Sequence, residues 1–496
     1  MNKQDSFSTD HPISLLRKFG GSISAYGAGM MVTSVMGIML LPVFLRYLSP
    51  EKYGIWALTR IIPPILISII SLDLSGAVLR LYYDWKKEGV EKESVFTVWI
   101  FTIVWSGMLV AIFLLFSENL FSFFFKNVKF DPFIKLTLIA EGINLTSGLA
   151  MKLLRIKDEA KNYATLNIMH VLITMCCIIY FVSNSGGVEG ALYGTIIANS
   201  IMFLFFSYVM IKNSKFAFSS KALVAAMSYS LPLVPGNIVN NVFSVLDRLF
   251  LDKFLPASQI GIYAVARTIA NILNMLLGVF QLAIMPFFIR IASERSDSKV
   301  LLSKSAEYLF GFLIIFGFSI SIYAPEIIMV LGKSVYFEAH KYVGPLTFAF
   351  MTGAFTFLPE LQISLSKKTK YASMVYATKF IIFSLLGFIL MQNYGVGGAI
   401  TTYIVVNLLS FILYFRIGQR CYPVEIDIGK LIIMPMLAIF VWYFVSMVLP
   451  PTALFRYDIV ALKSVSVIIV AIIMALYFGI TINVLKASLQ KKAVMQ

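Results

Sequence analysis

The chain has 496 residues, of which 59% are hydrophobic and 13% charged, and it carries a net charge of +16. A composition this apolar, arranged in long uncharged runs, excludes a soluble enzyme or a disordered chain and points to an integral membrane protein. The positive charge invites a nucleic-acid reading, but the basic residues lie between the apolar runs and follow their order, so no nucleic-acid partner is expected.

A bilayer-spanning helix needs about 20 apolar residues. Cutting the chain at charged or turn-rich breaks gives about fourteen such spans. The first six are expected near 21–45, 53–75, 95–116, 132–151, 163–182 and 188–211. The next six are expected near 223–250, 259–288, 306–331, 342–364, 371–392 and 396–415, and two more near 430–449 and 459–485. The runs are too long and too evenly apolar for the alternation of a membrane barrel, so the expected class is an all-α integral membrane protein.

With the N-terminus placed inside, 27 of the 41 Lys and Arg fall on inner segments. That bias predicts cytoplasmic termini and adds attraction to anionic membrane lipid. Residues Met1 to Asp10 are polar and lack a signal-peptide pattern. Cys176, Cys177 and Cys421 have neither disulfide nor metal spacing.

The chain also repeats itself. Gly54-Ile55-Trp56-Ala57 with Arg60 recurs as Gly261-Ile262-Tyr263-Ala264 with Arg267, each after a proline-bearing loop. Lys161-Asn162-Tyr163-Ala164 recurs as Thr369-Lys370-Tyr371-Ala372. Gly187-Val188-Glu189-Gly190-Ala191 recurs as Gly395-Val396-Gly397-Gly398-Ala399, and Asn199 then matches Asn407. The offset is 207 at the first place and 208 at the others, a register that chance would not hold. The expected organisation is an N-terminal lobe of helices 1–6 (1–211), a cytoplasmic linker (212–222), a C-terminal lobe of helices 7–12 (223–418) and two additional helices (419–496). Six spans per half give both halves one orientation, and such halves enclose a site between them in many transporters.

An ionised side chain at the bilayer centre costs about 2.5–3.5 kcal/mol on insertion scales, so intramembrane charges are site candidates. In chain order these are Arg60, Asp73, Glu141, Asp247, Arg248, Arg267, Glu360 and Lys379, with His170 as a weaker addition. Span eight carries the clearest pattern: Arg267, Asn271, Asn274, Gly278 and Gln281 share one helical face. Span seven offers Asn237, Asn240, Asn241, Ser244 and then Asp247 or Arg248; span ten offers Thr352, Thr356 and Glu360. Two readings stand side by side for the asparagines, substrate contact or hydrogen bonding between helices. Glu141, Glu360 and Lys379 stand equally as functional groups or structural ion pairs. Asp247 and Arg248 pair locally, snorkel, or act. Arg60 and Arg267 occupy equivalent places in the two halves, and a planar fork of donors suits phosphate; the alternative for both is snorkelling to the helix end. Pro42, Pro63, Pro64, Pro232, Pro235, Pro286 and Pro359 lie in or at the ends of spans, where kinks are expected. No nucleotide-binding loop or metalloenzyme motif is found, so no enzymatic activity and no cofactor is expected; energy for any transport would come from a proton or sodium gradient, from the substrate itself, or from a partner.

The run from Phe44 to Leu58, reading FLRYLSPEKYGIWAL, is similar to the first-loop signature of bacterial polysaccharide flippases of the Wzx type. So are Asp247-Arg248 with Gly261-Ile262-Tyr263-Ala264, the stretch from Gly76 to Tyr83, and Leu154-Arg155 before Tyr163. The resemblance covers nearly the whole chain on loose motifs. The superfamily it implies also holds multidrug antiporters and the lipid II flippase, with two six-helix lobes around a central cavity.

The resemblance implies an undecaprenyl-diphosphate-linked oligosaccharide as substrate, as for O-antigen or another lipopolysaccharide or capsular glycan, moved across a bacterial inner membrane. Membrane lipids and polysaccharide assembly proteins are the implied partners. Arg60 and Arg267 fall where the lipid II flippase has cavity cations. That flippase has a further arginine in span one, where this chain reads Gly20-Gly21-Ser22-Ile23-Ser24-Ala25-Tyr26, a departure that points away from a peptidoglycan precursor. The expected binding set is Arg60, Arg267, Asn271, Asn274, Gln281, Asn237, Asn240, Asn241 and Arg248, with Glu141, Asp73, Asp247 and Glu360 as ion-coupling candidates. A drug–cation antiporter of the same superfamily remains the alternative.

Overall fold

In the computed structural model, residues 36–294, 298–425, 427–449 and 456–477 are described. The expected start of span one (21–35), the Met1 to Asp10 stretch, Arg17, the glycine-rich segment that departs from the lipid II flippase, and the chain beyond 477 lie outside them. Every membrane-scale element among the described residues is helical, and nine segments there are long and apolar enough to cross a membrane.

The chain runs through α1 (Met36–Tyr47), α2 (Pro50–Thr59), α3 (Ile62–Ile70), α4 (Leu74–Glu88), α5 (Glu91–Phe116) and α6 (Glu118–Phe124). Next come α7 (Lys135–Ile156), α8 (Ala160–Ser185), α9 (Gly187–Lys212), α10 (Ser220–Ser230), α11 (Val234–Phe243) and α12 (Leu246–Phe254). They are followed by α13 (Ala257–Ala270), α14 (Ile272–Glu294), α15 (Ser298–Ile322), α16 (Ala324–Leu331), α17 (His340–Ala354) and α18 (Phe357–Leu365). Last are α19 (Thr369–Cys421), α20 (Ile428–Val448) and α21 (Tyr457–Tyr477).

Several expected spans are therefore broken helices. Span two divides at Arg60–Ile61, span seven at Ser244–Val245, span eight at Asn271 and span ten at Phe355–Thr356. The prolines start helices more often than they kink them. Pro63 and Pro64 open α3, Pro235 lies in the first turn of α11, and Pro359 in that of α18. The reason is chemical: a first-turn N–H has no partner inside its own helix, so a residue lacking one costs nothing there. Expected spans eleven and twelve lie within α19 as two helices that meet at Gly395, where φ is 54° and the backbone leaves helical geometry. Its repeat counterpart Gly187, at φ 94°, is the first residue of α9, directly after the junction with α8. Both positions need the left-handed backbone that glycine alone adopts freely.

The chain packs as two compact units. Among described residues, the first holds 36–40, 59–123 and 128–242. Its core gathers Ala77, Val78 and Trp85 of α4, Val95, Val98 and Trp99 of α5, Leu149 and Leu153 of α7, and Met202 and Phe206 of α9. The second unit holds 41–58, 124–127 and the described residues from 243 onward. Ile260, Tyr263 and Ala266 of α13, Leu313 and Ile314 of α15, and Leu346 and Ala349 of α17 are fully buried there.

The repeat is visible in three dimensions. In the first unit Asn199 donates its amide N–H to Ala140 O at 2.8 Å; in the second, Asn407 donates to Ala349 O at 3.0 Å. Each amide ties its helix to the neighbouring one by satisfying a backbone carbonyl, the structural alternative weighed for intramembrane asparagines. Within the second unit the first-copy segment 50–54 lies against its own second copy. A β-carbon on Gly54 would meet Ala257 O at 1.9 Å, and one on Gly261 would meet Pro50 O at 1.9 Å. Two backbones come this close only because neither position carries a side chain.

The C-terminal helices are anchored to the second unit by polar contacts. Trp442 of α20 donates to Ser321 O at 3.2 Å. On α21, Ser464 pairs with Tyr323 at 2.7 Å, and Lys463 forms a buried ion pair with Glu326 of α16.

Candidate functional site

The second unit contains a cavity of ≈ 330 Å³. Its first wall passes through Asn271. Helical backbone bonds run through that position, from Asn271 to Arg267 and from Met275 to Asn271, so Arg267, Asn271, Asn274 and Gln281 all line the same space. This is the face expected from the spacing in span eight. Gly278 lies on the same stretch with open space where a β-carbon would be. The rest of the lining comes from elements distant in sequence: Ser244, Thr356, Lys379, Tyr403 and Asn407, with Phe243, Phe350 and Phe357 as apolar lining.

Arg267 is held in place by its surroundings. Its Nε donates to Asp247 Oδ2 at 2.7 Å and its Nη2 to Ser244 O at 3.2 Å. Asp247 is fully buried and also accepts from the Tyr263 hydroxyl at 2.5 Å, while Arg248 Nε lies 3.8 Å away. A carboxylate removed from water needs such compensation, and two guanidiniums with one phenol supply it. The cluster of Asp247, Arg248 and Arg267 carries one net positive charge, and Lys379 brings a second to the same cavity. Tyr263 was legible as a member of the repeat but not as the partner of Asp247. Tyr403 escaped the sequence reading altogether, although it stands one helical turn before Asn407.

Arg60 belongs to the first unit. It lies at the α2–α3 break, and its Nη1 is 3.5 Å from Glu141 Oε1. The carboxylate is buried and leads a short polar chain: Asn144 Nδ2 donates to Glu141 Oε2 at 3.3 Å, and Ser147 donates to Asn144 at 3.0 Å. Asp73 caps the start of α4 with a left-handed backbone and meets Lys152 at 3.5 Å. His170 hydrogen-bonds Asn199 at 3.2 Å, a packed helix contact.

In the first unit Ser68 meets the Asn241 side chain and the Asn237 backbone carbonyl. The Ser68 hydroxyl donates to Asn237 O at 3.4 Å and accepts from Asn241 Nδ2 at 2.6 Å. Asn240 stands on the same helix, α11. The structure thus brings Arg267, Asn271, Asn274 and Gln281 into one cavity, and places Arg60, Asn237, Asn240 and Asn241 in the other unit. Among the ion-coupling candidates, Glu141, Asp73 and Asp247 each have a cationic partner within 4 Å. Glu360 sits exposed on α18 and forms no ion pair among the described residues, its nearest charged neighbour being Lys379.

Comparison with known proteins places the chain. A family profile described as polysaccharide biosynthesis protein matches residues 43–341. The Lsg locus putative protein 1 of Haemophilus influenzae is 23% identical over 300 residues, which is 58% of this chain and 70% of that protein. Among solved structures, the lipid II flippase MurJ in an inward closed conformation superposes with a TM-score of 0.71 at 14% identity, over 91% of this chain and 98% of that one. A multidrug resistance MATE family transporter in an inward-facing conformation gives 0.64 at 14% identity, over 80% of this chain and 97% of that one. These likenesses bear out the expected all-α membrane fold, and the profile match settles membership: the chain belongs to the polysaccharide biosynthesis protein family.

Proposed function

We propose that the protein is a flippase for lipid-linked oligosaccharides. It takes a repeat unit carried on undecaprenyl diphosphate from the inner to the outer leaflet of a bacterial cytoplasmic membrane, with both termini cytoplasmic. A glycan head and a diphosphate cannot cross the apolar core unaided, because many hydroxyls and charges would lose their water together. The observation that carries the reading is a polar, net positive cavity, lined by Arg267, Asn271, Asn274 and Gln281, in a chain of a polysaccharide biosynthesis family. Arginine matches phosphate oxygens, and the amides offer both donors and acceptors to sugar hydroxyls.

In this reading Arg60 offers phosphate a second guanidinium at the equivalent place in the other repeat, and transport proceeds by alternating access. Glu360, outside the described ion pairs, carries the coupling proton or sodium ion. The test is glycan display at the surface of a flippase-deficient strain. Wild type restores display, and Arg60→Ala and Arg267→Ala each reduce it at least about tenfold, the scale of a lost charge-assisted contact. Wild type that restores no glycan, or that exports cationic drugs instead, defeats the reading.

A further inference from the structure

Two cations border the cavity of the second unit, and they are held very differently. Arg267 has its Nε on Asp247 and its Nη2 on Ser244 O, so its fork is largely engaged by protein. Lys379 lines the same cavity from another element, ten residues into α19, or roughly 15 Å along the helix and hence about half the hydrocarbon thickness. Among the described residues no hydrogen bond or ion pair holds its ammonium. The ammonium sits 5.2 Å from the ring centroid of Phe243, itself a lining residue. Glu360 acts on it only from beyond ion-pair distance.

An ammonium at membrane depth ordinarily ends on a carboxylate, a carbonyl or water. Here it rests on a π face, a contact that satisfies some of its charge and none of its three N–H donors. The ring keeps its own place without the lysine, because Phe243 packs edge-on against Tyr376 and Phe383 at 5.7 and 5.2 Å between centroids. The flexible lysine stem can therefore leave the ring without disturbing the wall.

We propose that Lys379 is an anion ligand of the cavity, releasing the Phe243 ring to bind phosphate oxygens of the entering head group while Arg267 stays fixed by Asp247. The identity of the ligand rests on the proposed function; the arrangement of the two cations does not. An acidic sugar would present the same oxyanion chemistry through a carboxylate, and the test separates the two.

Purified full-length protein in detergent is titrated with inorganic pyrophosphate and, separately, with glucuronate, following the thermal unfolding midpoint, which rises with any ligand that favours the folded state. Wild type is expected to bind pyrophosphate. Lys379→Gln is expected to bind it about tenfold more weakly, and Lys379→Arg within about threefold of wild type, the usual scale for losing or keeping one charge-assisted contact. Ligand-free midpoints of the variants report on folding independently. The proposal is overturned if wild type does not respond to pyrophosphate, if Lys379→Gln binds it as wild type does, or if only the glucuronate response depends on Lys379. None of these outcomes bears on whether wild type restores glycan display, so the flippase reading stands or falls separately.

Discussion

Arg60 and Arg267 hold the same place in the two repeats, yet their surroundings share little. The Arg60 side chain is 39% exposed and meets Glu141 at 3.5 Å. The Arg267 side chain is 20% exposed and is clamped at 2.7 Å to an Asp247 with no exposure at all. The carboxylates are not counterparts either. Ala140 and Ala349 offer equivalent carbonyls to Asn199 and Asn407, so Glu141 of α7 corresponds to Phe350, and Asp247 of α12 corresponds to Leu40. The duplicated frame therefore fixes where each guanidinium stands, while each unit supplies its own counter-ion from a different helix. One copy keeps a longer, more exposed ion pair and the other a short, buried one.

That contrast can be broken most severely at Asp247. Asp247→Ala leaves Arg267 and Arg248 buried without their carboxylate and should cost about 3–5 kcal/mol of stability, whereas Glu141→Ala, with a half-exposed partner, should cost about 1 kcal/mol or less. Chemical denaturation in detergent measures both, and equal losses would erase the distinction. Next in size, Gly261→Val must push apart backbones that meet at 1.9 Å from the added carbon, and Gly54→Val should do the same. Each is expected to lower the thermal midpoint by several degrees, at about 1–3 kcal/mol for overpacking. A smaller effect should follow Asn274→Ala. Its amide donates to Asn271 Oδ1 at 3.1 Å at the cavity edge, so a few-fold fall in glycan display with no change in midpoint is expected. Glu360→Gln sharpens the comparison at the coupling step: it should slow transport yet leave stability within about 0.5 kcal/mol, as for an exposed group outside any described ion pair.

How much of this was legible in the sequence depends on distance along the chain. The face of Arg267, Asn271, Asn274 and Gln281 was readable because helical periodicity is local, and the structure brings those residues to one cavity. The repeat was readable at Asn199 and Asn407, whose amides turn out to make equivalent bonds. Lys379 was visible only as an isolated intramembrane charge and Tyr403 not at all, since nothing local says that α19 faces α13. The helix breaks beside Pro63–Pro64 and Pro359 were signalled, but those at Ser244–Val245 and Asn271 were hidden. Ser244–Val245 has no proline beside it, and its Ser244 carbonyl accepts from Arg267, twenty-three residues on. The asparagines of span seven matched a polar face in the sequence, but Ser68, distant along the chain, holds the amide of Asn241.

The Gly54–Gly261 contact has a consequence for how such a chain can change over time. A segment that touches its own duplicate has to fit itself, so an alteration in either version is felt by both. Elsewhere the halves are free to drift, as the unrelated counter-ions of Arg60 and Arg267 attest. At this spot drift is penalised twice over, which explains why the ancestral doubling can still be read there in plain letters.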